Sequence, residues 1–180
     1  MRLLETRALN LVLRSFLVVV AIAGSIGVSA ETLTGKVVAV SDGDTVTVLD
    51  ADRNQHKIRL MGIDAPEKAQ AYGQKSKQHL SGLVFGREVL VEWHKRDRYQ
   101  RIVGKVFVAP PGCATCDKNV DASLDQIQAG MAWWYRKYAK EQSVEDRLSY
   151  DAAEAEARNR GIGLWRDPDP MPPWDYRHKR

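Results

Sequence analysis

Apolar and polar positions alternate in short runs through the first half of the chain. "LTGKVVAV", "DTVTVLD" and "QHKIRLMGI" are rich in valine, isoleucine and threonine, and the second and third meet across "DADRN". Segments of this kind, bounded by turn residues, predict three strands. The period then changes, and "EKAQAYGQKSKQHLSGLVFG" has helical character up to a stop at Gly86. Two further strand-like runs, "REVLVEWH" and "RIVGKVFVA", follow on either side of a basic link, "KRDRYQ". Val120, Leu124 and Ile127 recur at helical spacing and end at Gly130, and "SVEDRLSYDAAEAEARNRG" offers Ser143 as an N-cap and Gly161 as a stop. The proline- and tryptophan-rich tail "LWRDPDPMPPWDYRHKR" predicts an extended strap with Trp165 and Trp174 packed on the body. Five short strands with helices after the third and fifth predict an α+β protein, mainly β. The expected fold is a five-stranded OB-type barrel with three covering helices.

The first thirty residues do not fit that pattern. Arg2, Arg7 and Arg14 precede the apolar run "FLVVVAIAGSIGV" and small residues ending at Ala30. A positive start, a short apolar stretch and a small-residue end predict a signal peptide over 1–30, cleaved after Ala30. The run is shorter than the roughly 20 residues a membrane span needs. Export to the periplasm or the medium is therefore expected, with no membrane association after cleavage. The region 31–180 shows no repeat or linker and is expected to form a single domain.

Charge adds little until its distribution is considered. The formal charge is +4; three Lys/Arg and one Glu precede Glu31, which leaves +2 on the remainder. Net charge therefore does not announce a nucleic-acid binder. "HKRDRYQR", however, gathers cations beside a tyrosine, and reads either as a phosphate footprint or as a solvated hairpin tip. Cys113 and Cys116 lie after Pro-Pro-Gly in "PPGCATCDK". In an exported chain so close a pair favours a disulfide. Two further ligands at zinc spacing are missing, and so is the strand-to-helix context of a redox pair.

Two acidic clusters carry the candidate chemistry. Asp42-Gly43-Asp44-Thr45 stands at the turn into the second strand and Asp64-Ala65-Pro66-Glu67 just after the third. If these strands are neighbours, the clusters converge at one end of the sheet, where crowded carboxylates call for a hard cation such as Ca²⁺ or Mg²⁺. Taken alone, "DGD" reads as an ordinary hairpin turn. Arg59 alternates with Ile58 and Leu60; if those fill the barrel, it faces outward, as a phosphate clamp or as a partner in an ion pair. Arg101 is the second candidate clamp.

In the order "DGDT…RL…IDAPE…DRYQR…GMAWWY", from about Gly35 to about Trp165, the sequence resembles the staphylococcal nuclease (thermonuclease) family of secreted, calcium-dependent phosphodiesterases. The resemblance implies hydrolysis of DNA and RNA by a monomer with Ca²⁺ as cofactor and no stable protein partner. The 5′ P–O bond is cut, leaving 3′-phosphate ends. It makes Asp44, Asp64 and the carbonyl of Ala65 the calcium ligands, Glu67 the general base or the group that orients the attacking water, and Arg59 and Arg101 the holders of the scissile phosphate. Arg98 and Tyr99 would contact the terminal phosphate and Tyr138 would line the nucleotide pocket. The chain departs from the family at Gln100, where a glycine is usual, and at Arg136, where a pocket tyrosine is usual, so that base stacking passes to Trp134 or Tyr135. Competing readings are an OB-fold module that binds nucleic acid without cutting it, a calcium-stabilised structural module, and a thiol-redox protein. The first would have lost its carboxylates, which are present here; the second would need neither arginine; the third lacks the surrounding fold.

Overall fold

The computed structural model describes residues 31–179, so the signal-peptide expectation for 1–30 lies outside the described residues. Strand β1, Glu31–Val40, pairs antiparallel with β2, Thr45–Leu49, which turns back into β3, Gln55–Leu60. Strands β5, Glu88–Arg96, and β6, Ile102–Val108, form a second antiparallel pair, and β1 also pairs with β5. Parallel pairing of β3 with β6, at Ile58↔Ile102, Arg59↔Val103 and Leu60↔Gly104, closes the sheet on itself. The result is the five-stranded OB-type barrel that the sequence predicts.

Inward positions follow the two-residue period: Val46, Val48, Ile58, Leu60, Val89, Val91, Ile102, Val106 and Val108 are all at most 1% exposed. Burying branched side chains of this size stabilises by roughly 1.5–3 kcal/mol each. Three helices cover the barrel: α1, Gly73–Val84, α2, Ala122–Gln128, and α3, Val144–Asn159. The expected cap of α3 is present, the Ser143 hydroxyl accepting from Asp146 N at 3.0 Å. Two-residue strands β4, Ile63–Asp64, and β8, Trp133–Trp134, pair as Ile63↔Trp134 and Asp64↔Trp133; a third, β7, Val120–Asp121, edges β6.

Two features differ from the sequence reading. Helix α1 begins at Gly73 rather than Glu67, because residues 67–72 are folded into turns, with Gln70 N donating to Glu67 O and Gly73 N to Gln70 O. A Cβ at Gly73 would stand 1.9 Å from Glu67 O, so the helix can start only where that side chain is missing. The tail is not a plain extended strap. It carries a 3₁₀ turn, Gly163–Arg166, and a short helix α4, Pro173–His178, entered through prolines whose fixed φ suits a first turn. Trp165 and Trp174 do pack on the body, both edge-on to Trp133, at 4.4 and 5.7 Å between centroids. Cys113 and Cys116 form the expected disulfide.

Candidate active site

The acidic clusters meet at one mouth of the barrel because the strand register brings them there. Thr45 is paired with Arg59, so Asp44 lies just beyond one strand end and Asp64 just beyond the other. Leu60 N donates to Asp44 O at 2.8 Å, tying the loop to β3. Gly43 lies so close to α1 that a Cβ would fall 1.8 Å from Ser76 Oγ and 2.7 Å from Ala65 Cβ, and the buried Gln126 amide donates to Gly43 O. Asp44 is 6% exposed and Asp64 1%. Asp44 Oδ1 accepts from the Thr45 hydroxyl at 2.9 Å and Oδ2 from Ala65 N at 3.0 Å. Ala65 thus enters the site through its amide.

Arg59 spans the two carboxylates. With Ile58 and Leu60 filling the barrel, its side chain turns to the mouth, where Nη1 stands 2.6 Å from Asp44 Oδ2 and Nη2 3.0 Å from Asp64 Oδ1. The second contact is a hydrogen bond; the first is close but misaligned, and the buried Nη1 lacks a hydrogen-bond acceptor. A guanidinium fixed at an acidic centre has the planar fork that suits recognition of an oxyanion.

Charge is crowded here. Burial first, then repulsion from Asp44, pushes the Asp42 carboxyl up to about 6. Burial likewise raises Asp64, against the pull of Arg177 and Arg59. Among the described residues no three His, Cys, Asp or Glu side chains close into a metal cage. Two carboxylates with water and phosphate oxygens are nonetheless a sufficient donor set for a hard cation, and the crowding would be relieved by one. The oxygen chemistry therefore fits Ca²⁺, with Asp44 and Asp64 as the carboxylates to hold it.

The basic hairpin turn links β5 to β6. Asp97 organises it, accepting Tyr99 N at 2.9 Å and Arg101 N at 3.0 Å on Oδ1 and Arg101 Nε at 2.7 Å on Oδ2. Burial raises the Asp97 pKa, but these bonds outweigh it and hold the carboxyl below its usual range. Gln100 takes φ 62°, the left-handed geometry that its glycine counterpart would adopt freely. Tyr99 is 65% exposed, with the guanidinium of Arg98 over its ring at 4.8 Å. Arg101 leads into β6, next to β3 in the barrel, and its guanidinium engages Asp97.

Tyr138 lies at a kink in the 3₁₀ segment Arg136–Glu141, 44% exposed, with Lys95 over its ring. The expectation that base stacking passes to Trp134 or Tyr135 meets two different environments. Trp134 is 8% exposed with Arg136 over its ring, and Tyr135 is stacked on Trp174 at 5.3 Å.

The sequence reading missed Arg177. From α4 it sets Nη2 2.6 Å from Asp64 Oδ2 and Nη1 2.8 Å from Glu67 Oε1. No local pattern marks a tail arginine 110 residues from its partner. The only signal was the pair of tryptophans that dock the tail.

Fold and site together define an OB-type barrel with an acid–arginine centre at its mouth. Residues 57–167 match the Staphylococcal nuclease homologue family, and the chain belongs to it. It is similar to an "Uncharacterized endonuclease" of Escherichia coli, 42% identical over 81% of this chain and 86% of the relative. A "Micrococcal nuclease" of Shigella flexneri is 43% identical over 79% of each chain. "Protein ParB" of Escherichia coli is 42% identical over 82% of this chain and 80% of its own.

Proposed function

We propose that this protein is a calcium-dependent phosphodiesterase that hydrolyses DNA and RNA by attack of water, leaving 3′-phosphate ends. The observation that carries the reading is Arg59, fixed between two buried carboxylates at the mouth of the barrel. In this reading Asp44, Asp64 and the Ala65 carbonyl hold Ca²⁺, which when bound would neutralise phosphate charge and orient water. Arg59 and Arg101 clamp the equatorial oxygens and stabilise the charge that grows on them. Glu67 takes or orients the proton of the attacking water. Because water is the nucleophile, no 2′-hydroxyl is required, so both nucleic acids serve. Arg98 and Tyr99, exposed on the hairpin, meet a terminal phosphate, and Tyr138 meets a base.

The names of the relatives, "endonuclease" and "Micrococcal nuclease", support hydrolysis of nucleic acid. The same reading takes 31–180 as one exported, monomeric domain, released after Ala30 into periplasm or medium.

The test is release of acid-soluble nucleotides from DNA and RNA, with Ca²⁺ or with chelator, beside Glu67→Gln. Calcium-dependent release, reduced about 10²- to 10⁴-fold in the variant with an unchanged melting temperature, is expected. Tight DNA binding with no release under any metal would instead establish a binding module.

A further inference from the structure

The tail reaches the centre of the site, and it does so with a cation. Arg177 is bonded at once to Asp64, at 2.6 Å, and to Glu67, at 2.8 Å, with a longer contact of 3.3 Å to Asp64 Oδ1. Its other bonding partners are thus one proposed metal ligand and the proposed base. The placement is built rather than incidental. Trp174, three residues earlier, stacks on Tyr135 and meets Trp133 edge-on, and Trp133 is itself the strand partner of Asp64. Gln70, from the turn that carries Glu67, donates to Met171 O at 2.6 Å. The tail partners in these contacts, Met171, Trp174 and Arg177, lie beyond residue 167, where the family match ends.

The contact is also releasable. The Arg177 side chain is 43% exposed, and a cavity of about 250 Å³ lies beside the tail, lined among others by Pro66, Tyr72, Trp133, Met171 and Tyr176. Asp64 has little capacity left: Arg59 and Arg177 share Oδ1, and Arg177 takes Oδ2. A divalent ion arriving at Asp64 therefore meets oxygens that guanidinium groups already hold, and its charge repels theirs at such short range.

We propose, building on the calcium reading above, that Arg177 is an internal counter-ion that competes with the divalent cation for Asp64 while tying up Glu67. Filling the metal site requires the C-terminal helix to let both carboxylates go. The chain then carries its own restraint: with calcium scarce, the tail closes the site; with calcium abundant, it yields.

Calorimetric titration of the metal-free chain with CaCl₂ tests this for the wild type, Arg177→Ala and Arg177→Gln. A half-exposed charge-assisted pair is given up on metal binding, so both variants should bind Ca²⁺ about tenfold tighter than the wild type. Raising ionic strength should narrow the gap, since a partly exposed ion pair is screened. The melting transition of each metal-free variant reports that it is folded. Wild-type binding whose affinity neither variant exceeds overturns the competition and leaves the calcium reading standing. Absence of binding in all three chains overturns the calcium reading, and this proposal with it.

Discussion

The two arginines expected to grip one phosphate are held in opposite ways. Arg59 is 16% exposed and wedged between carboxylates that are themselves 9% and 1% exposed, on a strand whose neighbours fill the barrel. Arg101 stands on a hairpin at the surface, 24% exposed, aimed by a single aspartate four residues away. The first is over-determined by the core; the second depends on one local turn. Groups proposed for one catalytic site can therefore carry very different shares of the fold's stability.

The largest effect that would break this comparison comes from truncating each arginine in turn. Arg59→Ala and Arg101→Ala should each lower kcat/KM by roughly 10²- to 10³-fold, the usual loss for one charge-stabilising donor. Their stabilities should part. Removing Arg59 leaves Asp44 and Asp64 buried with less compensation; since Arg177, Thr45 and Ala65 N still engage them, the cost falls somewhat short of a fully broken buried pair, about 2–3 kcal/mol. Removing Arg101 breaks a pair near solvent, at about 1 kcal/mol or less. Thermal melts beside the kinetics decide it, and equal losses in melting temperature would sink the contrast.

Much of this contrast was legible in the sequence. The alternation of Ile58, Arg59 and Leu60 fixes which way Arg59 faces, and "DGDT" and "IDAPE" at successive strand ends converge once those strands pair. Local patterns of period two and a named N-cap at Ser143 are short-range signals, and short-range signals survive without tertiary context. What was not legible is long-range. Nothing near Asp97 says that it, rather than the acidic centre, takes up Arg101. The role of Gly73 in delaying α1 depends on the carbonyl of Glu67 folding back over it. Trp134 was expected to take a base because Arg136 stands where the family has a pocket tyrosine, yet its burial is decided by β4 and α3, which supplies Glu154 to the Trp134 amide at 3.0 Å. Arg177 depends on a docking of the tail that periodicity cannot express.

A smaller effect sharpens the hairpin half. Asp97→Asn keeps an oxygen able to accept from Tyr99 N and Arg101 N but removes the charge that fixes the Arg101 guanidinium. Activity should drop by roughly tenfold, since a misplacement of about an ångström is enough to cost that much. Stability follows the sign of the pKa shift. The Asp97 carboxyl is depressed in the folded state, so its contribution is present above the ordinary aspartate range and is lost as pH falls through its folded value. Melts of wild type and Asp97→Asn should thus differ at neutral pH and converge in acid. Curves that stay parallel down to acid pH would mean that the Asp97 charge contributes nothing to the hairpin.

The smallest effect concerns Gln100, where the hairpin holds a left-handed residue without a glycine. At φ 62° a side-chain-bearing residue costs roughly 1–2 kcal/mol of backbone energy. Glycine would remove that cost but would add about 0.5–1 kcal/mol of chain entropy to be lost on folding. The balance favours Gln100→Gly by about 1 kcal/mol at most, a rise of about 1–4 °C in melting temperature. The turn's bonds involve backbone atoms, Gln100 N to Asp97 O at 2.9 Å and Arg96 Nη1 to Gln100 O at 3.0 Å, so both survive the substitution. Turnover should then be unchanged, because Arg101 is aimed by Asp97 and not by the side chain of Gln100. A variant that melts lower would show that the glutamine makes up its strain through the side chain, and one that melts higher but turns over more slowly would show that a strained turn is what keeps Arg101 on target.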